Sequence, residues 1–268
     1  DAGYAGFDAE AFSLDALVEQ VDIPDGHGSR ADQAHFPPQD VEQLRQLVDP
    51  TQPDEGADFR DARVVRRGPH GTGDLRVHLQ PKLDLNSGTV VGAEALVRWT
   101  HPVRGIVSPA QFVRVAEDTG LIKQLTDVML HRGIGHLREI HDRGYHLGMA
   151  VNLSTHDLLD TKLAQRVEQH LNANGVDASM LTLEITESSL LIDAPRARST
   201  INELHEVGVR LSIDDFGTGY SSLSYLRRLP VAELKIDQSF VANLLLDEQD
   251  EVIVRSTIDL GHNLGLVV

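Results

Sequence analysis

Residues 74–99 read DLRVHLQPKLDLNSGTVVGAEALVRW. Two strand-like apolar runs flank Asn86-Ser87-Gly88, a turn signal. So short a link cannot hold a crossover helix, so these two strands should pair antiparallel. Beyond them the pattern changes to alternation of helix and strand. Helical stretches 108–120 and 121–144 precede the strand LGMAVNLS (147–154), and helix 156–175 precedes LTLEIT (181–186). Helix 195–208 precedes VRLSIDDF (209–216), SSLSYLRRLP (221–230) precedes AELKID (232–237), and helix 247–265 precedes Leu266-Val267-Val268. Helices of this length between short strands require parallel pairing through right-handed crossovers. The expectation is an α/β fold, a TIM-like (β/α) barrel with an antiparallel first strand. Seven strands are countable, one fewer than a closed eight-stranded barrel, and the sequence ends inside the seventh. The barrel is therefore expected to be incomplete at its C-terminus.

Working back from Asp74, residues 1–70 differ in kind. They hold 15 Asp or Glu against 6 Arg and no Lys, net −9, broken repeatedly by Pro and Gly. The expected organisation is an irregular acidic segment of linker and short helices over 1–70, partly disordered, followed by the barrel unit over 71–268.

The whole chain carries a net charge of −17, which excludes duplex nucleic acid as a natural partner because phosphate binding needs a basic face. No apolar run reaches the roughly 18 residues of a spanning helix, and the N-terminal residues lack a basic start and apolar stretch. With no Cys there is no disulfide and no thiolate metal site, which fits a reducing cytoplasm. Any metal must bind through carboxylates, amides or His.

Within the barrel unit, Glu94, Asn152, Glu184, Asp214 and Asp215 stand at or near the C-terminal ends of apolar strands, where such barrels build their sites. Charged groups inside buried strands need a partner or a metal. All five are hard oxygen donors suited to Mg²⁺, Mn²⁺ or Ca²⁺. Adjacent strand residues face opposite ways, so Asp214 and Asp215 can share a site only if the strand breaks there, and FGTG (216–219) supplies a break. Such a pair could bridge two metals roughly 3.5–4 Å apart, the geometry of in-line phosphoryl displacement. Lys235, beside cations and desolvated, would have a depressed pKa and could orient or deprotonate a water. Each residue also has a plainer explanation: Asp214-Asp215 as a helix cap, Asn152 as a turn residue, Lys235 as a surface partner of Asp237.

Glu94-Ala95-Leu96 with Val97-Arg98-Trp99, Asn152-Leu153-Ser154, Glu184-Ile185-Thr186-Glu187, Asp214-Asp215-Phe216-Gly217-Thr218-Gly219 and Lys235-Ile236-Asp237 together resemble the EAL domain family, over roughly 75–268. That resemblance implies a bacterial signalling phosphodiesterase that hydrolyses cyclic di-GMP to linear pGpG. It implies a two-metal site for Mg²⁺ or Mn²⁺, with Glu94, Asn152, Glu184 and Asp214 on the first ion and Asp214 bridging to a second that Asp215 also binds. It implies that Lys235 lies near the hydrolytic water, that Gln80, Leu96 and Arg98 contact the dinucleotide, that Glu187 anchors the loop 215–222, and that the chain forms a homodimer. In the family the seventh strand continues into a segment resembling AEGVE and then an eighth strand. Relative to that pattern this sequence stops early, which implies an incomplete second metal site and weak or no hydrolysis by the 268-residue chain. An impaired cyclic di-GMP-binding sensor is the corresponding alternative, and an acidic interaction scaffold built on 1–70 is a third.

Overall fold

A computed structural model describes residues 65–67, 74–190, 193–219, 226–242, 244 and 246–268. The acidic segment 1–70 (apart from Val65–Arg67) and residues 221–225 of the expected helix 221–230 lie outside these. The strands are β1 (Val65–Arg67), β2 (Asp74–Asp84), β3 (Thr89–His101), β4 (Gly105–Val107), β5 (Gly148–Leu153), β6 (Leu181–Thr186), β7 (Arg210–Phe216) and β8 (Glu233–Ile236). The helices are α1 (Pro109–Asp118), α2 (Ile122–Asp142), α3 (Thr155–Leu158), α4 (Leu163–Asn174), α5 (Ala194–Val207), α6 (Gln238–Ala242) and α7 (Glu248–Asn263).

One sheet runs in the order β1-β2-β3-β5-β6-β7-β8, with β4 paired to β3. The β1–β2, β2–β3 and β3–β4 pairs are antiparallel, and every pair from β3 to β8 on the main path is parallel. The expected hairpin is present. Asp84 Oδ1 accepts from the amides of Asn86 and Ser87 at 3.1 and 2.7 Å, an Asx-type turn that reverses the chain. β1 covers only the start of β2, so among the described residues no strand pairs with β2 at Pro81 on that side, a position that suits a residue with no amide to donate. After β8, Val267 bridges Glu233 in parallel as a single pair, where the sequence suggested a seventh strand.

The parallel strands are buried on both faces. Leu181, Leu183 and Ile185 of β6 and Leu211 and Ile213 of β7 pack in one core with Leu130, Ile134 and Leu137 of α2, Val167 and Leu171 of α4, and Ile201 and Leu204 of α5. Each such side chain, fully buried, stabilises the fold by about 1.5–3 kcal/mol. The alternate residues of β6, Thr182 and Glu184, then point to the other face. A smaller cluster of Trp99, Phe112, Leu75, Val107 and Leu125 fastens α1 and β4 to the hairpin, with the Trp99 and Phe112 rings edge to face at 5.6 Å.

Further details depart from expectation, beginning with β1, which lies inside the stretch 1–70 read as irregular. The stretch 156–175 is two helices rather than one. The break falls at Asp160, whose side chain accepts from the Lys162 amide at 3.1 Å and from Arg166 at 2.6 Å, competing with helical backbone bonds. β4 was not foreseen, because three residues in a Pro- and Gly-bounded segment carry no strand period.

β3 and β5 meet at a pair of glycines. A Cβ on Gly92 would lie 2.9 Å from the Gly148 carbonyl oxygen, a backbone atom that cannot swing aside. Gly92→Ala should therefore destabilise the fold by about 1–3 kcal/mol, the usual cost of overpacking, read as a lower urea midpoint with unchanged m. An unchanged midpoint would mean that the two strands can separate without cost.

Candidate metal and phosphodiester site

The curl of the sheet brings distant strands together. Lys235 on β8 touches Glu94 on β3, although β5, β6 and β7 intervene in the pairing order. Glu94 sits mid-β3 opposite Ala150, Asn152 near the end of β5 opposite Glu184, and Asp214 on β7 opposite Thr186. One oxygen each from Glu94, Glu184 and Asp214 lies within 4.8 Å of the others. Asn152 Nδ2 donates to Glu94 Oε1 at 2.6 Å, fixing that carboxylate from the side. Three convergent carboxylates are the donor chemistry of a hard divalent cation, and the site fits one.

Lys235 Nζ donates to Glu184 Oε2 at 2.6 Å, Asp214 Oδ2 at 2.9 Å and Glu94 Oε2 at 3.2 Å. Burial alone would lower the Lys235 pKa, but the Glu184, Glu94 and Asp214 charges outweigh it and raise it. Facing three carboxylates and no cation, the Lys235 pKa moves up, opposite to the depression expected beside bound cations. Glu184 is fully buried. Burial, then the neighbouring Glu94 charge, push its carboxyl up to about 7, against the opposing pull of Lys235 and Lys82.

Asp215 stands apart from the three-carboxylate cluster. β7 loses register between Ile213 and Phe216, and Asp215 takes a left-handed φ of 55°. The break falls at Asp214-Asp215, just before FGTG, and sets the Asp215 carboxyl against Asp237. Burial, then the Asp214 and Asp237 charges, raise its pKa. Asp237 accepts from the Ser239 amide at 2.8 Å, while Lys235 Nζ donates to Glu184, Asp214 and Glu94.

Glu187, buried in the turn after β6, accepts at Oε2 from the amides of Gly217 at 2.9 Å and Gly219 at 3.2 Å. These two bonds tie the start of the loop expected over 215–222 to the turn after β6; residues 220–222 lie outside the described residues. Gly219 suits the clamp, since a Cβ there would lie 3.0 Å from the Glu187 carboxylate. Glu187→Leu should speed amide exchange at Gly217 and Gly219 by about tenfold or more, the loss of one charged hydrogen bond each. Unchanged exchange would show that the loop is held elsewhere.

Gln80 lies directly across from Glu94 on β2, exposed, and so in reach of the same mouth. Leu96 and Arg98 line a cavity of about 470 Å³ that also touches Asn152, Thr126 and Glu117. A larger depression of about 660 Å³, beside α7, shares no lining residue with it. Sequence reasoning missed Lys82, which reaches Glu184 Oε1 at 3.5 Å. The available signal was parity: Lys82 is two residues from Gln80 and shares its strand face.

Among the described residues no helix is long and apolar enough to cross a membrane. Residues 63–268 match the EAL domain family. The bifunctional diguanylate cyclase/cyclic di-GMP phosphodiesterase MucR of Pseudomonas aeruginosa is 42% identical over 195 residues, covering 72% of this chain and 28% of that protein. The cyclic di-GMP phosphodiesterase NbdA of the same organism is 42% identical over 195 residues, covering 72% of this chain and 25% of its own. This chain thus spans about a quarter of the length of these curated relatives. A solved structure, the PaMucR phosphodiesterase in complex with c-di-GMP, aligns with a TM-score of 0.69 at 42% identity, covering 72% of this chain and 78% of that one. With that match extending over the parallel sheet that gathers Glu94, Asn152, Glu184, Asp214 and Lys235, the chain belongs to the EAL domain family.

Proposed function

We propose that this chain hydrolyses one phosphodiester bond of cyclic di-GMP, giving linear pGpG, with Mg²⁺ or Mn²⁺ held by Glu94, Glu184 and Asp214 and assisted by Asn152. The observation that carries this reading is the meeting of three carboxylates from three parallel strands at one point, beside a cavity bearing Arg98. Relatives named as cyclic di-GMP phosphodiesterases support the choice of substrate. A divalent ion bound there supplies Lewis-acid polarisation of the phosphoryl group and a more acidic water.

The residues divide the rest of the work. Asn152 and Lys235 hold the Glu94 carboxylate in place before any ligand arrives. Preformed geometry of this kind is worth more than its bond count, since reorganisation is avoided at the moment of reaction. Lys235, kept as an ammonium, places positive charge where the phosphoryl oxygens gain negative charge. Arg98 offers a planar fork for a phosphate at the cavity rim, and Leu96 an apolar surface for a base. Asp215, turned away from the cluster, serves a second ion only if its carboxyl leaves Asp237.

The test is a single-turnover assay, with enzyme in excess over cyclic di-GMP, titrated with Mn²⁺ or Mg²⁺ and followed by chromatography. Linear pGpG should accumulate with metal and cease after chelation. Recovery of only the cyclic dinucleotide at every metal concentration would remove hydrolysis from the account.

A further inference from the structure

Glu184 is held from two sides. Its Oε2 accepts from Lys235 at the mouth, while its Oε1 is buried without a hydrogen bond and faces Lys82 Nζ at 3.5 Å. Lys82 Nζ itself donates to Glu233 Oε1 at 2.5 Å, and Ser212 Oγ donates to the same oxygen at 3.3 Å. A polar layer of Lys82, Ser212 and Glu233, drawn from β2, β7 and β8, therefore lies behind the three-carboxylate cluster. β2 and β8 are not hydrogen-bonded to each other in the sheet, so this side-chain link spans its curl.

The two lysines differ in what a divalent ion would do to them. Lys235 lies against the same three oxygens that the ion needs, and must yield to it. Lys82 lies on the far side of Glu184 and can remain. A fully buried carboxylate with one oxygen committed forward needs something behind it, or it rotates or draws back from the mouth. We propose that Lys82 is a positioning residue: it holds the inner oxygen of Glu184 so that the outer oxygen faces the cation site, with Glu233 and Ser212 fixing Lys82 in turn. The inference rests on the divalent site proposed above.

Removing Lys82 alone would leave Glu233 without its cation, so the informative variant is Lys82→Met with Glu233→Leu. This exchange leaves the net charge unchanged, and a matched apolar pair commonly replaces an ion pair without loss of stability. Mn²⁺ binding is measured by calorimetry for the wild-type chain, the double variant and Lys82→Arg, with thermal melting in chelator as a control. The double variant should melt like the wild type yet bind Mn²⁺ about tenfold more weakly, the usual effect of losing a support behind a metal ligand. Lys82→Arg, which keeps a donor and a charge there, should recover most of that loss. A folded double variant that binds Mn²⁺ as well as the wild type would overturn the role of Lys82. No Mn²⁺ binding by the wild-type chain would instead overturn the divalent site itself, and the inference with it.

Discussion

Glu184→Gln should cut hydrolysis of cyclic di-GMP by about a thousandfold while leaving the metal-free fold intact. Of the three clustered acids it is the one with no exposure, so no solvent can replace what it supplies. The amide keeps the volume and one acceptor oxygen for Lys235, but not the charge that competes for a divalent ion. Stability in chelator should stay within about 1 kcal/mol of wild type, since the neutral amide relieves the burial cost and the repulsion from Glu94 while giving up the attraction to Lys235 and Lys82. The pair of measurements separates chemistry from folding. A variant with wild-type turnover would remove Glu184 from the site, and one that fails to fold would show that its charge belongs to the core.

Much of this arrangement was legible before any coordinates. Glu94, Glu184 and Asp214 stand out because a buried strand rarely tolerates a carboxylate, and strand alternation puts them all on the face away from the helices. The hairpin followed from three turn residues, and the parallel run from helix lengths. What stayed hidden has a common cause. Lys82 sits in a strand beside a proline, where a lysine reads as an ordinary edge residue; only the curl of the sheet carries it to Glu184 and Glu233. Asp215 was expected to join Asp214 only if the strand broke there, and the way that break turns it, at a φ of 55°, is not written in the residues. The protonation of Lys235 depends on distances of 2.6–3.2 Å to three acids, and a sequence holds no distances.

Lys235→Met should have two effects of opposite sign. In wild type one ammonium satisfies three carboxylates that lie within 4.8 Å of each other. Without it their mutual repulsion is uncompensated at the mouth, and removing one partner from a buried ion cluster typically costs about 3–5 kcal/mol. Glu94, Asp214 and Lys235 are each part-exposed, so water recovers some of this and about 2–3 kcal/mol is the expected loss in chelator. The same vacancy favours a divalent ion, which in wild type must first displace the ammonium. Added Mn²⁺ should therefore raise the melting temperature of Lys235→Met by more than it raises that of the wild-type chain, because ligand-linked stabilisation grows with affinity. Turnover should nonetheless fall, since the positive charge set beside the phosphoryl oxygens is gone. Tighter metal with slower chemistry is a combination that general damage to the barrel does not produce. An equal or smaller Mn²⁺ shift in the variant would mean that ammonium and metal do not compete, and that the three carboxylates are a lysine-binding network rather than a cation site.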